Sequence, residues 1–158
     1  MWEKIKPYLI SILISLGVGG LSAFLTRNSM DIYENLNQPP LSPPSILFPI
    51  VWSILFILMG ISAAIIYTYK EEEPATVKDA LVVYAISLFF NFFWTIIFFN
   101  MRAYLFAFIW LIALWILIIL TINAYKKINP LAAYLQIPYL IWVTFAAYLN
   151  LGVWVMNR

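Results

Sequence analysis

At 158 residues, 65% of them hydrophobic and only 10% charged, the chain is too apolar for a soluble domain of its length. Cysteine and histidine are both absent, which excludes disulfides, thiolate chemistry, the usual zinc and haem-iron ligands and every imidazole acid or base. The net charge of +2 comes from residues at the ends of apolar stretches, so it bears on membrane orientation and leaves no footprint for nucleic acid.

A membrane-spanning helix needs roughly 20 apolar residues to cross about 30 Å of hydrocarbon. Five stretches qualify, at 5–25, 46–69, 79–99, 103–125 and 131–156. The expected fold is an all-α integral membrane protein, one domain over 1–158, built as a bundle of five transmembrane helices. The first stretch is too long for a signal peptide and lacks a small-residue cleavage pattern. Its Ser15, Gly19 and Ala23 recur every fourth residue beside Gly17 and Gly20, predicting a seam on which a neighbouring helix packs closely. The connection that follows, about 20 residues, is long for a compact bundle and reads as a lid or as an ordinary tether. Ile32, Tyr33 and Leu36 share a helical face there, so a short amphipathic piece is expected over the bundle mouth. Four prolines in NQPPLSPPS then stiffen the chain.

Ser45 is the expected cap of span two, with Pro49 in its first turn. Trp52 comes one turn further in, facing either whatever the loop covers or the interfacial aromatic belt. Gly60 and Ala64 form a second small pair. KEEEPATVKD reads as a solvated turn, in which Thr76 and Asp79 fit a capping box opening span three. Within FFNFFWTIIFFN, Ser87, Asn91, Trp94, Thr95 and Phe98 fall on one helical face. A carboxamide at mid-membrane is costly unless bonded, so Asn91 should point inward, as glue between helices or as a ligand contact. Span four, with Trp110 and Trp115, reads as packing and lipid-facing surface. Asn129 and Pro130 supply a cap and a first-turn proline for span five, and Pro138 predicts a bend. Past the bend, Trp142, Phe145, Ala146 and Leu149 set rings beside small residues, the makings of a flat slot. Lys4, Lys6, Lys70, Lys78, Lys126 and Lys127 gather at one end of the spans, against Arg27, Arg102 and Arg158 at the other. The excess places the N-terminus in the cytoplasm and the proline loop and C-terminus outside, in the cell membrane of a bacterium.

Three strings, in order and covering nearly the whole chain, carry a family resemblance. QPPLSPPSILFPIVWSILFILMG resembles the proline-rich loop and PVW segment of the tryptophan-rich sensory protein and translocator protein family (TspO/MBR, the peripheral-type benzodiazepine receptor). NFFWTIIFFNMR resembles its NxxWxxIFF run followed by a basic residue, and NPLAAYLQIPYLIWVTFAAYLN its PLAA, PYLxW and FAxxLN run. The resemblance implies five transmembrane helices, homodimers, and a pocket under the first loop that binds porphyrins such as protoporphyrin and benzodiazepine-like compounds. Carried onto this chain, that pocket holds Trp52, Asn91, Trp94, Trp142, Ala146 and Leu149, and Phe90 is a further candidate ligand contact. Some positions depart from the family: Phe106 and Phe92 stand where tryptophan is common, and Phe56 where tyrosine is. LNLGVWVMNR has no tyrosine between Leu149 and Arg158, so the proposed sterol pattern is missing, which argues against sterol binding.

The function expected first is a membrane receptor or carrier in which ring compounds stack on Trp52 and Trp142, each face worth about 0.5–1.5 kcal/mol beyond burial. Asn91 would hold a polar edge, and Arg27 or Arg102 would meet porphyrin carboxylates as charge-assisted pairs. No cofactor is called for: porphyrin is ligand or substrate, and free base rather than haem. The family's association with light-dependent porphyrin breakdown implies a second reading, an enzyme in which Trp52 and Trp142 are the catalytic, oxidisable partners of the excited ring, with no hydrolytic or metal site. A third is a facilitator of small hydrophobic molecules across the membrane without catalysis. Ion-coupled export is disfavoured, because Glu3, Asp31, Glu34, Glu71, Glu72, Glu73 and Asp79 all fall in loops or at span ends. A ligand-free structural bundle is disfavoured by the three strings in register. Membrane lipids are the remaining partner expected.

Overall fold

Inside hydrocarbon every backbone N–H and C=O must bond within its own segment, and stretches this apolar therefore fold as helices. The computed structural model describes residues 1–158, and five of its helical stretches are long and apolar enough to span a membrane. Helix α1 (Trp2–Thr26) passes through a 3-10 turn, Arg27–Ser29, into the short α2 (Met30–Glu34). After the proline loop come α3 (Leu47–Tyr67) and α4 (Pro74–Thr95), the latter continuing as a π-helical turn, Ile96–Asn100. Helix α5 (Tyr104–Lys126) is the fourth span, and α6 (Pro130–Leu135) with α7 (Ile137–Asn157) make the fifth. The helices close into a ring: α1 packs on α3, α3 on α6 and α7, these on α5, α5 on α4, and α4 on α1.

The small-residue seam of α1 lies against α3. A Cβ on Gly60 would sit 2.6 Å from the Ile12 Cα, and one on Gly19 would enter the Phe56 ring. Ser15 Oγ donates to the Phe56 carbonyl at 2.6 Å, a side chain to backbone bond between spans. Met59, Ile66, Leu111, Leu114, Ile118, Val143 and Val153 fill the centre, fully buried, while Leu13, Phe24, Ile54, Phe89, Ile109 and Ile141 stand exposed on the outside. An apolar perimeter around an apolar core is what a bilayer solvent selects.

Two local expectations need correction, and the bend expected from Pro138 is present as a break in span five. Ser45 does not cap span two: its Oγ donates to the Glu34 carboxylate at 2.7 Å, and α3 starts through backbone turns from Leu47 N to Pro44 O and Phe48 N to Ser45 O. Thr76 and Asp79 form no capping box, because α4 opens at Pro74 and Thr76 is already inside its first turn. Proline at the first position loses only an N–H that has no partner anyway. In span five the chain interrupts at Gln136, between α6 and α7, and Pro138 opens the new helix. Its ring would clash with the carbonyl four residues back, at Tyr134. The break is held from outside: Gln136 Nε2 donates to Ser62 Oγ at 3.2 Å, and Ser62 Oγ to the Ala132 carbonyl at 2.7 Å. Asn129 Oδ1 caps α6, accepting from Leu131 N at 2.8 Å and Ala132 N at 3.4 Å.

Candidate ligand-binding site

Where α1, α3, α4 and α7 converge, opposite the lysine-rich end, they enclose a cavity of about 310 Å³. Helix α3 brings Trp52 and Phe56, and α7 brings Trp142, Ala146, Leu149 and Asn150. Helix α4 adds Asn91, Trp94 and Thr95, and the π turn adds both Phe98 and Phe99. A π turn carries one residue more than an α turn, closed here by Met101 N on Ile96 O at 3.0 Å. Gly19, Ser22, Ala23 and Thr26 form the α1 wall, where the absent side chain of Gly19 lets the Phe56 ring lie against the helix. Arg27, Met30 and Tyr33, from the connection after α1, complete the lining with Phe48 and Pro49.

The rings are ordered against one another. Trp52 and Trp142 meet edge to face, centroids 6.4 Å apart and planes at 88°, and Trp52 stacks on Phe56 at 5.6 Å and 28°. Phe48 abuts Trp142 at 5.9 Å, and Trp94 stacks on Phe98 at 5.3 Å. Tyr33 is buried within a collar of Phe48, Phe98 and Phe99, at 6.1, 5.8 and 5.4 Å.

Most polar groups in this wall are already bonded. Asn91 Nδ2 donates to Tyr139 Oη at 2.7 Å, and Trp94 Nε1 to Asn150 Oδ1 at 3.0 Å. Asn150 Nδ2 in turn donates to the Tyr104 carbonyl at 2.8 Å, joining α4, α5 and α7. The hydroxyls of Ser22 and Thr26 turn back onto α1 carbonyls, at 2.9 Å to Gly19 and 2.8 Å to Ser22. Trp52 Nε1 and Tyr33 Oη make no hydrogen bond, and Trp142 Nε1 is both without a partner and inaccessible to solvent. Leaving such a donor unpaired costs about 1–3 kcal/mol.

Of the residues singled out from sequence, Trp52, Asn91, Trp94, Trp142, Ala146 and Leu149 all border the cavity. Phe90 does not. It stacks on Trp110 at 4.3 Å and 19°, and its carbonyl accepts from Trp110 Nε1 at 2.8 Å. A step of one residue turns a helix by about 100°, so a neighbour of the inward Asn91 faces α5 instead. Phe145 is likewise outside, between Trp142 and Tyr148. Arg27 reaches the cavity, its guanidinium donating to the Phe24 carbonyl at 2.5 Å and lying 3.9 Å from the Phe24 ring centroid, whereas Arg102 is not in the lining. Sequence reasoning missed the partners Tyr139 and Asn150. Asn150 follows Ala146 by four residues, a signal that the spacing already held.

The proline loop rests on the far end of α7. Asn37 N donates to Asn157 Oδ1 at 3.0 Å, and Asn157 Nδ2 returns a bond to the Asn37 carbonyl at 2.7 Å. Tyr148 Oη donates to the Pro40 carbonyl at 2.6 Å. Pro39 lies where a Cβ on Gly152 would be, its Cγ 2.5 Å from that position. Leu41, 83% exposed, takes φ +72°, the left-handed region that leucine seldom adopts.

Comparison with known proteins accords with this architecture. The TspO/MBR family model matches residues 11–155. The chain is 37% identical over 150 residues to the tryptophan-rich protein TspO of Chlorobaculum tepidum, covering 94% of this chain and 92% of that one. It is 36% identical over 125 residues to the protein CrtK of Rhodobacter capsulatus, covering 79% and 78%. With the translocator protein of Bos taurus it shares 33% identity over 152 residues, covering 94% and 88%. A five-span bundle with this aromatic cavity, matched over nearly its whole length, is an integral membrane protein of the TspO/MBR family.

Proposed function

We propose that the protein is a membrane receptor or carrier for flat hydrophobic ring compounds, of the porphyrin and benzodiazepine-like classes, held in the aromatic cavity. The observation that carries the reading is Trp142, which borders the cavity and keeps a buried indole N–H with no acceptor. A ring compound with a carbonyl or carboxylate edge supplies that acceptor once the Trp142 indole turns towards it, while its face stacks on one of the two perpendicular indoles and meets the other edge-on. Size separates the two ligand classes. A volume of about 310 Å³ is at the low end for drug-sized ligands, so a benzodiazepine-like compound enters it as it stands. A tetrapyrrole is bulkier and needs the Tyr33 segment displaced, its carboxylates then emerging beside Arg27. The loop acts as the lid in this reading, and the lysine-rich end faces the cytoplasm.

The experiment is a titration of the detergent-purified protein with protoporphyrin in the dark, followed by illumination. Saturable quenching of tryptophan fluorescence, competed by a benzodiazepine-like compound, is the expected result. Absence of competition would remove the shared cavity from the account. The second reading, chemistry on the bound ring, is favoured by the 6.4 Å separation of Trp52 and Trp142, which lets one ligand touch both indoles. Light-driven conversion to a defined open-chain product supports it, and absorbance that stays constant leaves the receptor or carrier alone.

A further inference from the structure

A second concavity, of about 570 Å³, lies at the lysine-rich end of the bundle and shares no residue with the aromatic cavity. It runs between the N-terminal halves of α1 and α4, with Ile10 and Ile14 on one side and Leu81, Ala85 and Leu88 on the other. Its back is the last part of α3, where Ala63 and Ala64 leave depth by having so little side chain. Ile10, Ile14 and Ala85 are exposed, so the groove opens sideways along the flank of the bundle. Tyr84 gives its ring to the wall while its hydroxyl lies beside Ser15, on the side of the Tyr125 ring.

The charged residues of the groove, Lys6, Lys70 and Glu3, are confined to one end. Lys70 Nζ donates to Tyr67 Oη at 2.8 Å and sits 4.0 Å from that ring's centroid, which fixes the ammonium at the groove mouth. From Lys6 to Ile14 α1 rises about 12 Å, close to one leaflet of a hydrocarbon layer about 30 Å thick. An apolar furrow one leaflet long, open to the bilayer and cationic only at the interface, has the charge and dimension of a particular occupant. We propose that this flank groove is a binding site for one acyl chain of an anionic phospholipid, its phosphate held between Lys6 and Lys70. Glu3 at the same mouth disfavours a head group with a second negative charge.

The test is native mass spectrometry of the delipidated protein in detergent, offered equal amounts of phosphatidylglycerol and phosphatidylcholine with identical chains. The first adduct should favour phosphatidylglycerol about fivefold, the net worth of two lysines against one carboxylate near a membrane surface. Lys6→Gln with Lys70→Gln leaves Glu3 as the one charge at the mouth and should reverse the ratio, to about fivefold in favour of phosphatidylcholine on the same count. Lys126→Gln with Lys127→Gln, the same charge change elsewhere at that end, should leave it as it was. Ala85→Trp, at an exposed position, should abolish the first adduct of either lipid while helicity stays unchanged, and Ile10→Trp serves as a second filler.

Several results would overturn the proposal. They are equal uptake of the two lipids, an equal effect of the two lysine pairs, or a first adduct that survives both fillers. Oleate displacing phosphatidylglycerol at equal concentration would assign the groove to a free fatty acid instead. Fillers that change the oligomeric state but not lipid uptake would assign it to a second copy of the chain.

Discussion

The Asn91 carboxamide donates to the Tyr139 hydroxyl across 2.7 Å, so one polar side chain in the cavity wall also ties α4 to α7. Tyr139 has no exposed surface. Asn91→Ala strands its hydroxyl in an apolar setting and should destabilise the fold by about 1–3 kcal/mol. Replacing both partners, Asn91→Ala with Tyr139→Phe, removes the stranded group and should recover part of the loss. Thermal denaturation in detergent across the four proteins measures the coupling. A double variant no more stable than Asn91→Ala would mean that the bond carries no such energy.

The two indoles of the cavity should respond differently from those outside it. Trp52→Phe and Trp142→Phe keep much of the ring area and should weaken protoporphyrin binding roughly 2- to 12-fold, the equivalent of about 0.5–1.5 kcal/mol. Trp142→Phe also deletes the unpaired N–H, so it should hurt ligands with an acceptor edge more than those without one. Trp115 lies outside the cavity, where its Nε1 donates to Thr144 Oγ1 at 2.8 Å. Trp115→Phe should leave affinity within error by fluorescence titration, and an equal loss there would return all three to general packing. If the bound ring is converted under light, the two cavity variants should slow conversion by more than they weaken binding.

Two glycines, Gly60 on α3 and Gly17 on α1, make opposite predictions. A Cβ at Gly60 meets the Ile12 backbone, which cannot rotate away, and Gly60→Ala should cost about 1–3 kcal/mol by overpacking. A Cβ at Gly17 meets nothing within 4 Å, and Gly17→Ala should be neutral or stabilise by up to about 1 kcal/mol through helix propensity. Equal melting temperatures for the two variants would contradict the close approach of α1 and α3.

How much of this was legible in the sequence depends on what sets each feature. The spans follow from hydropathy alone, and periodicity puts Asn91 with Trp94 and Trp142 with Ala146 and Leu149 on shared helical faces, whereas the grouping of these residues with Trp52 in one pocket came from the family resemblance. Phe90 lies one residue from Asn91, a step of about 100° around the helix, and so meets Trp110 instead of the cavity. The caps failed for another reason: Ser45 had a tertiary partner in Glu34, and Pro74 pre-empted Thr76, choices between local options that the sequence offers together. The π turn at Ile96–Asn100 was invisible, since one extra residue in a turn leaves no mark in a run of apolar side chains. The bonds that pair Asn91 with Tyr139 and Trp94 with Asn150 are long-range contacts, and the sequence marked Asn91 and Trp94 but not the partners they reach on α7.

The loop makes a kinetic prediction. Gly152→Ala places a methyl group into the Pro39 ring and should loosen the proline loop without touching the cavity wall. Proteolysis and hydrogen exchange at residues 37–45 should accelerate, and ligand should dissociate faster with association raised by a similar factor. An affinity that falls at unchanged dissociation rate would show that the loop does not guard the entrance.

The break at Gln136 turns α7 into a lever. It is one rod of 21 residues, roughly 30 Å long, with its pivot at one end, Trp142 near the pivot and Asn157 at the tip. A tilt about Gln136 moves the tip about four times as far as it moves the indole, because displacement grows with distance along the rod. A ligand that shifts Trp142 by a fraction of an ångström therefore strains the Asn37–Asn157 and Tyr148–Pro40 bonds in proportion to their distance from the pivot. Under the proposed function, occupancy deep in the membrane would be written, magnified, on the polypeptide at its surface.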